Sequence, residues 1–149
     1  MKQRATVICQ QGTRVLLVCR PHSRWALPGG RPKPGEEFAA AAVRELREET
    51  RLRALGLSYL FDFVGAGTHH HVYVVKIAPD DVAVPSHEIA RCRWFDVTEI
   101  AALDTSVSTK GIIDALATPA ASGKPGRRRR LDAFNRNVSS AMQDAGETV

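Results

Sequence analysis

Between Gly29 and Thr50 the chain reads GGRPKPGEEFAAAAVRELREET, and this stretch restricts the fold more than any other. Glu37–Arg51 lacks glycine and proline, holds four consecutive alanines and reads as a helix. With Glu45 as zero and about 100° per residue, Glu48 falls near about −60° and Glu49 near about +40°. Ala39, Val43, Leu46 and Thr50 cluster between roughly 100° and 160°, a separate stripe suited to packing on a sheet. Like charges at i, i+3 and i+4 weaken a bare helix by a few tenths of a kcal/mol per pair, and Arg44, Arg47 and Arg51 offset only part of this. A hard divalent cation, Mg²⁺ or Mn²⁺, resolves the conflict, because it prefers carboxylate oxygens and bridges to phosphates. The Gly/Pro-rich loop ahead of the helix lets backbone come close to such an ion. The simpler reading of the same residues is a solvated charged face.

Around this segment, Ala5–Cys9 and Val15–Cys19 are short Val/Ile/Leu-rich runs separated by a hairpin's distance containing Gly12. Pro21–Pro34 is a loop too long for a plain connector. Leu57–Val64 and His71–Ile77 read as strands joined by Gly65-Ala66-Gly67, and Ala90–Phe95 as another. Asp104–Ala117, with Asp104, Thr105 and Ser106 as caps and apolar residues at Ile112, Ile113 and Leu116, reads as a second helix.

Gly30, five residues, Glu36, seven residues, then Arg44-Glu45-Leu46-x-Glu48-Glu49 resembles the Nudix box, G-x5-E-x7-R-E-U-x-E-E-x-G-U with U aliphatic. Trp25-Ala26-Leu27-Pro28-Gly29-Gly30 is similar to the usual lead-in. The likeness in element order covers about Ala5 to Ala117. It implies an α/β fold of the α+β kind, an α/β/α sandwich with a mixed sheet, and hydrolysis of a nucleoside diphosphate linked to another moiety. By the same resemblance, Glu48 and Glu49 are the main metal ligands, and Glu45 is a further ligand or the base that deprotonates water. Arg44 holds a glutamate by a charge-assisted hydrogen bond, Glu36 ligates metal or orients the loop, and the carbonyl of Gly29 or Gly30 completes the coordination. Some members take another catalytic glutamate from a loop before a late strand, a place Glu88 occupies here.

One position departs from the pattern: Arg51 stands where the box has its last glycine. That glycine suits a left-handed helix C-terminus, where a Cβ costs roughly 1 kcal/mol or more. Either Arg51 bears this cost or the helix runs on to Gly56. With every carboxylate present, the expected effect is on stability or on the shape of the site, not loss of catalysis.

Outside the box, Trp25 either stacks on a base or covers the loop. Arg24 and Arg31, with Arg20 and Lys33, surround the loop and suit phosphates, though solubility explains any one of them equally well. Substrate contacts are assigned to Trp25, Arg24, Gly30 and Arg31. His69, His70 and His71 alternate in a strand, so all three cannot ligate one ion; a strand start with one half-buried histidine is the better reading. Phe61 and Phe63 share a face and are read as core.

Charge divides unevenly along the 149 residues. Residues 118–149 carry six Lys and Arg against three Asp and Glu, while the first 117 carry fifteen against thirteen, so the net +5 says little about what the folded body binds. We divide the chain into a Nudix domain, 1–117, and a basic segment, 118–149, read as a tail or a peripheral helix on a flexible linker, with Leu131–Met142 weakly amphipathic. The run Arg127–Arg130 suits nucleic acid, but a solvated tail is the favoured reading. No apolar run approaches the roughly 18 residues of a membrane span. The three cysteines, Cys9, Cys19 and Cys92, sit among apolar neighbours as in a reduced, cytoplasmic protein.

The expected activity is a Mg²⁺- or Mn²⁺-dependent pyrophosphohydrolase acting on a small nucleotide. Downstream of the box, Gly67–His70 stand where many ADP-ribose hydrolases carry a proline and dinucleoside polyphosphate hydrolases a tyrosine. By elimination a (d)NTP is favoured. Hydrolysis of ADP-ribose or a nucleotide sugar, pyrophosphohydrolysis at an RNA 5′ end and a non-catalytic binding module are the alternatives.

Overall fold

The computed structural model describes residues 1–119 and 126–145. Strands β1 (Lys2–Gln11), β2 (Arg14–Cys19), β3 (Gly29–Gly30), β4 (Gly56–Gly65), β5 (Thr68–Lys76) and β6 (Arg91–Asp96) combine with helices α1 (Phe38–Thr50), α2 (Val107–Leu116) and α3 (Arg127–Ala145). The sheet runs β4-β5-β1-β2-β6, with β1 and β5 parallel and the other pairs antiparallel. It is therefore a mixed sheet, as the resemblance implied.

Side chains alternate across it. Ala5, Val7 and Cys9 of β1 join Leu16, Ala41, Ala42 and Leu46 in one core, beneath α1. Ile8, Val15, Leu17, Val72 and Val74 join Ile112, Ile113, Leu116 and Phe134 in the other, beneath α2 and α3. Strand period 2 feeding two helical layers gives the sandwich.

β1 and β2 pair only beside their hairpin, at Gln10↔Val15 and Gln11↔Arg14. Beyond that they diverge, and the long loop fills the gap: Gly29 and Gly30 pair with Thr6 and Ala5, and Val18 bridges to Ala26. The stretch expected to be loop thus contributes a two-residue strand inside the sheet. Gly29 has φ +148°, and a Cβ there would run into the backbone carbonyl of Ala5, so only glycine lets the loop enter.

α1 ends at Thr50, and Arg51 is left-handed at φ 63°, its N–H bonded to the Arg47 carbonyl. Arg51 therefore bears the cost of the missing glycine, and the helix does not continue to Gly56. Arg51→Gly removes a strain of about 1–2 kcal/mol but loosens the unfolded chain by about 0.4–1 kcal/mol. The expected net gain is about 0.5–1 kcal/mol, seen as a higher urea midpoint at unchanged slope and with unchanged turnover; a lower midpoint would contradict it.

The segment after Ala117 also folds. α3 directs Leu131, Phe134, Val138, Ala141 and Met142 onto the sheet at helical spacing. Asn137 Nδ2 donates to the Leu116 carbonyl at 2.8 Å, and Arg130 pairs with Asp114 at 2.7 Å. The helix read over Leu131–Met142 starts a turn earlier, inside the arginine run, and is seated on the body through a buried face. The linker expectation, over residues 118–126, falls mostly on 120–125, which lie outside the described residues. The strand expected to begin at His71 begins at Thr68, so all three histidines lie in β5. Cys9, Cys19 and Cys92 are all unpaired, and among the described residues no helix is long and apolar enough to cross a membrane.

Candidate active site

α1 buries Ala41, Ala42, Leu46, Glu49 and Thr50, while Ala39 and Val43 of the expected stripe are only half-buried; the buried face is turned toward Glu49, and the charged face meets the loop Gly29–Glu36. Arg44 stands at the centre. Its Nε and Nη2 hold the Glu36 carboxylate at 2.8 and 2.9 Å, and its Nη1 donates to Glu45 at 2.9 Å and Glu48 at 3.1 Å. Nη2 also reaches the Arg31 carbonyl at 3.3 Å. Three carboxylates converging on one planar guanidinium are held far more tightly than a lysine could hold them. Arg44 and the Lys33 N–H pull the Glu36 pKa down to about 2. Arg44 itself is raised, chiefly by Glu36.

Glu49 is placed differently. It is 3% exposed, and its Oε1 accepts the Gly29 N–H at 2.8 Å. Burial raises its pKa to about 7, against the opposing pull of Gly29 and the nearby Arg4. A buried carboxylate with a single amide partner is costly as an anion unless a cation approaches it. Gly30 faces Glu45, and a Cβ at that position would collide with the Glu45 carboxylate. Gly29 thus contributes an amide donor to this side chain, and Gly30 the clearance that lets loop and acids meet.

The donor set of Glu36, Glu45, Glu48 and Glu49 consists wholly of carboxylate oxygens, which suits a hard divalent cation and no soft one. Glu45 and Glu48 meet at Arg44 Nη1, whereas Glu49 turns inward to Gly29. The acids are therefore paired with Arg44 and an amide and do not form a closed trio of donors.

Beside Glu49 opens a cavity of about 280 Å³ lined by Arg4, Arg20, Arg24, Ala26, Glu49 and Ser106. Arg4 is half-buried, donates to the Leu27 carbonyl at 3.0 Å and has its pKa lowered mainly by burial. It was not among the residues singled out from the sequence; the available signal was an arginine sharing the strand face of Thr6 and Ile8. Arg24 lines the cavity and pairs with Asp104 at 3.4 Å. Glu88 is mostly exposed and meets Arg20 at 3.5 Å, at the rim. Trp25 packs edge-on to Phe95, with the Arg91 guanidinium 4.8 Å above its ring. The Arg31 side chain is exposed. Two larger clefts flank α3, one lined by Leu60, Phe61 and Ala141 and the other by Val74, Val138 and Met142; among the described residues neither is lined by an acid.

The profile of the NUDIX domain matches residues 1–116. The chain belongs to the Nudix family. A Chromobacterium violaceum protein assigned to the nudix hydrolase family superposes with TM-score 0.68 at 28% identity, covering 99% of this chain and 97% of that one. Human diphosphoinositol polyphosphate phosphohydrolase 2 is 34% identical over 107 residues, 66% of this chain and 59% of its own length. Human nucleoside diphosphate-linked moiety X motif 6 is 27% identical over 109 residues, 65% and 34% respectively. The chain thus spans about a third to three-fifths of the length of these two curated relatives. The match of the Chromobacterium structure extends through α3, past the end of the domain profile.

Proposed function

We propose that this Nudix chain is a Mg²⁺- or Mn²⁺-dependent hydrolase that splits a phosphoanhydride bond of a nucleoside diphosphate-linked compound, a (d)NTP in the first instance. One observation carries the reading: Glu49, buried on α1 beside the other carboxylates, lines a cavity that Arg4, Arg20 and Arg24 also line. Anionic phosphates enter such a basic cleft, and an acidic helix face alone would repel them.

Glu48 and Glu49 would hold the cation, with Glu45 and Glu36 beside them. When bound, the ion neutralises the diphosphate and lowers the pKa of a coordinated water. Arg44 fixes Glu36, Glu45 and Glu48 so that their carboxylates need little reorganisation. Arg4, Arg20 and Arg24 bind non-bridging phosphate oxygens and orient the anhydride. Water adds to phosphorus, the bridging P–O bond breaks, and Glu45 takes the proton the water loses. Glu88, at the rim, is a second candidate for that proton.

The test is product analysis across (d)NTPs, ADP-ribose, nucleotide sugars and triphosphorylated RNA with Mg²⁺ present. Turnover fastest on a (d)NTP is expected. Selective turnover of ADP-ribose or of RNA ends would replace the substrate assignment, and no turnover on any of them would leave a binding module. Arg130 and Arg128 of the basic run already pair with Asp114 and Asp132, which favours a structural use of that run over nucleic-acid contact.

A further inference from the structure

On the sheet face that carries α1, well separated in sequence from the box, β4 and β5 bring three metal-type ligands together. Asp62 lies directly opposite His71, and His69 follows two residues away on the same face. One donor atom from each of Asp62, His69 and His71 lies within 4.8 Å of the others. His69 Nε2 is 2.8 Å from Asp62 Oδ2, and His71 Nδ1 is 3.4 Å from Asp62 Oδ1. Donors bound to one zinc-type ion at about 2.0–2.2 Å stand roughly 3–3.5 Å apart, so small side-chain shifts close the site.

The surroundings orient these donors as a metal site's outer shell does. His71 Nε2 is 2.9 Å from Gln3 Oε1, a contact that holds the ring with Nδ1 turned toward Asp62. Tyr59 donates its hydroxyl to Asp62 at 2.8 Å and locks the carboxylate. Phe38, the first residue of α1, stacks on His71 at 3.6 Å, and the His69 and His71 rings stack at 4.4 Å.

We propose that Asp62, His69 and His71 form a site for a first-row transition ion of the zinc type, which ties the β4–β5 hairpin beneath the first turn of α1. Two imidazoles and one carboxylate suit Zn²⁺, Ni²⁺ or Cu²⁺, whereas the all-oxygen box suits Mg²⁺. The two sites therefore separate by ion type, and the proposal stands whether or not the hydrolase reading does.

The experiment is calorimetric titration of the full chain with ZnCl₂ in a millimolar excess of MgCl₂. One Zn²⁺ per chain is expected, weakened at least tenfold in Asp62→Asn and in His69→Gln and unchanged in Glu48→Gln. Histidine ring ¹⁵N spectra of the wild type should show two imidazole nitrogens shifting with added Zn²⁺, a readout that survives if a variant fails to fold. No binding above the Mg²⁺ background, binding kept in both ligand variants, or binding lost only in Glu48→Gln would each overturn the assignment.

Discussion

Glu48→Gln is expected to lower kcat on the preferred nucleotide by about 10²–10³-fold, equivalent to about 3–4 kcal/mol of transition-state stabilisation. The substitution keeps the shape of the side chain and its ability to accept from Arg44 Nη1, now 3.1 Å away. What it removes is one charge from the carboxylate face. Without added metal the variant should be as stable as the wild type or slightly more so, because it relieves repulsion among Glu45, Glu48 and Glu49 while giving up one helix ion pair of about 0.3–0.5 kcal/mol. The rise in melting temperature on adding Mg²⁺ should shrink in the variant, since that rise measures preferential binding to the folded state. Activity and stability thus move independently. A fall in stability comparable with the fall in activity would mean that Glu48 serves the fold, and equal turnover by both proteins would remove it from the chemistry.

Part of the carboxylate face was legible in the sequence because a helix converts spacing directly into direction: Glu45 and Glu48 needed only the 3.6-residue period to be placed together, whereas Glu49 turns inward to Gly29. Arg51 was legible as a site of strain for the same local reason. What depends on pairing between distant segments was not legible. β3 exists because β1 and β2 splay, and no local pattern in Gly29-Gly30 announces a strand. Arg4 reaches the neighbourhood of Glu49 only after the loop has been inserted against β1. That Arg44 would gather Glu36 as well as Glu45 and Glu48 depends on a loop returning across the helix. The histidine run shows the limit most sharply. Alternation places His69 and His71 on one face and His70 on the other, where it is buried against Thr6 at 2.8 Å. The partner of the first two, Asp62, is set by the β4–β5 register, which runs unshifted from Gly65↔Thr68 to Asp62↔His71; it stays hidden when the second strand is read as beginning at His71.

Phe134→Ala should destabilise the full chain by about 3–5 kcal/mol, the usual cost of emptying a buried phenylalanine site. For a chain of this size that corresponds to a fall in melting temperature of about 10 °C or more. Phe134 is fully buried, with Ala133 at 1% and Val138 at 3% exposure on the same helix, and it belongs to the core that also holds residues of β2, β5 and α2. If residues 118–149 were an appendage, the same truncation would cost less than about 0.5 kcal/mol, as at ordinary surface positions. The arginine run makes a matching control. Arg129→Ala lies on the exposed side of the same helix and should leave the transition within about 0.5 kcal/mol of the wild type. A large loss from Phe134→Ala beside a negligible one from Arg129→Ala assigns α3 to the second helical layer. The sheet face carrying Val72 and Val74 would then need α3 as its cover, just as the opposite face needs α1.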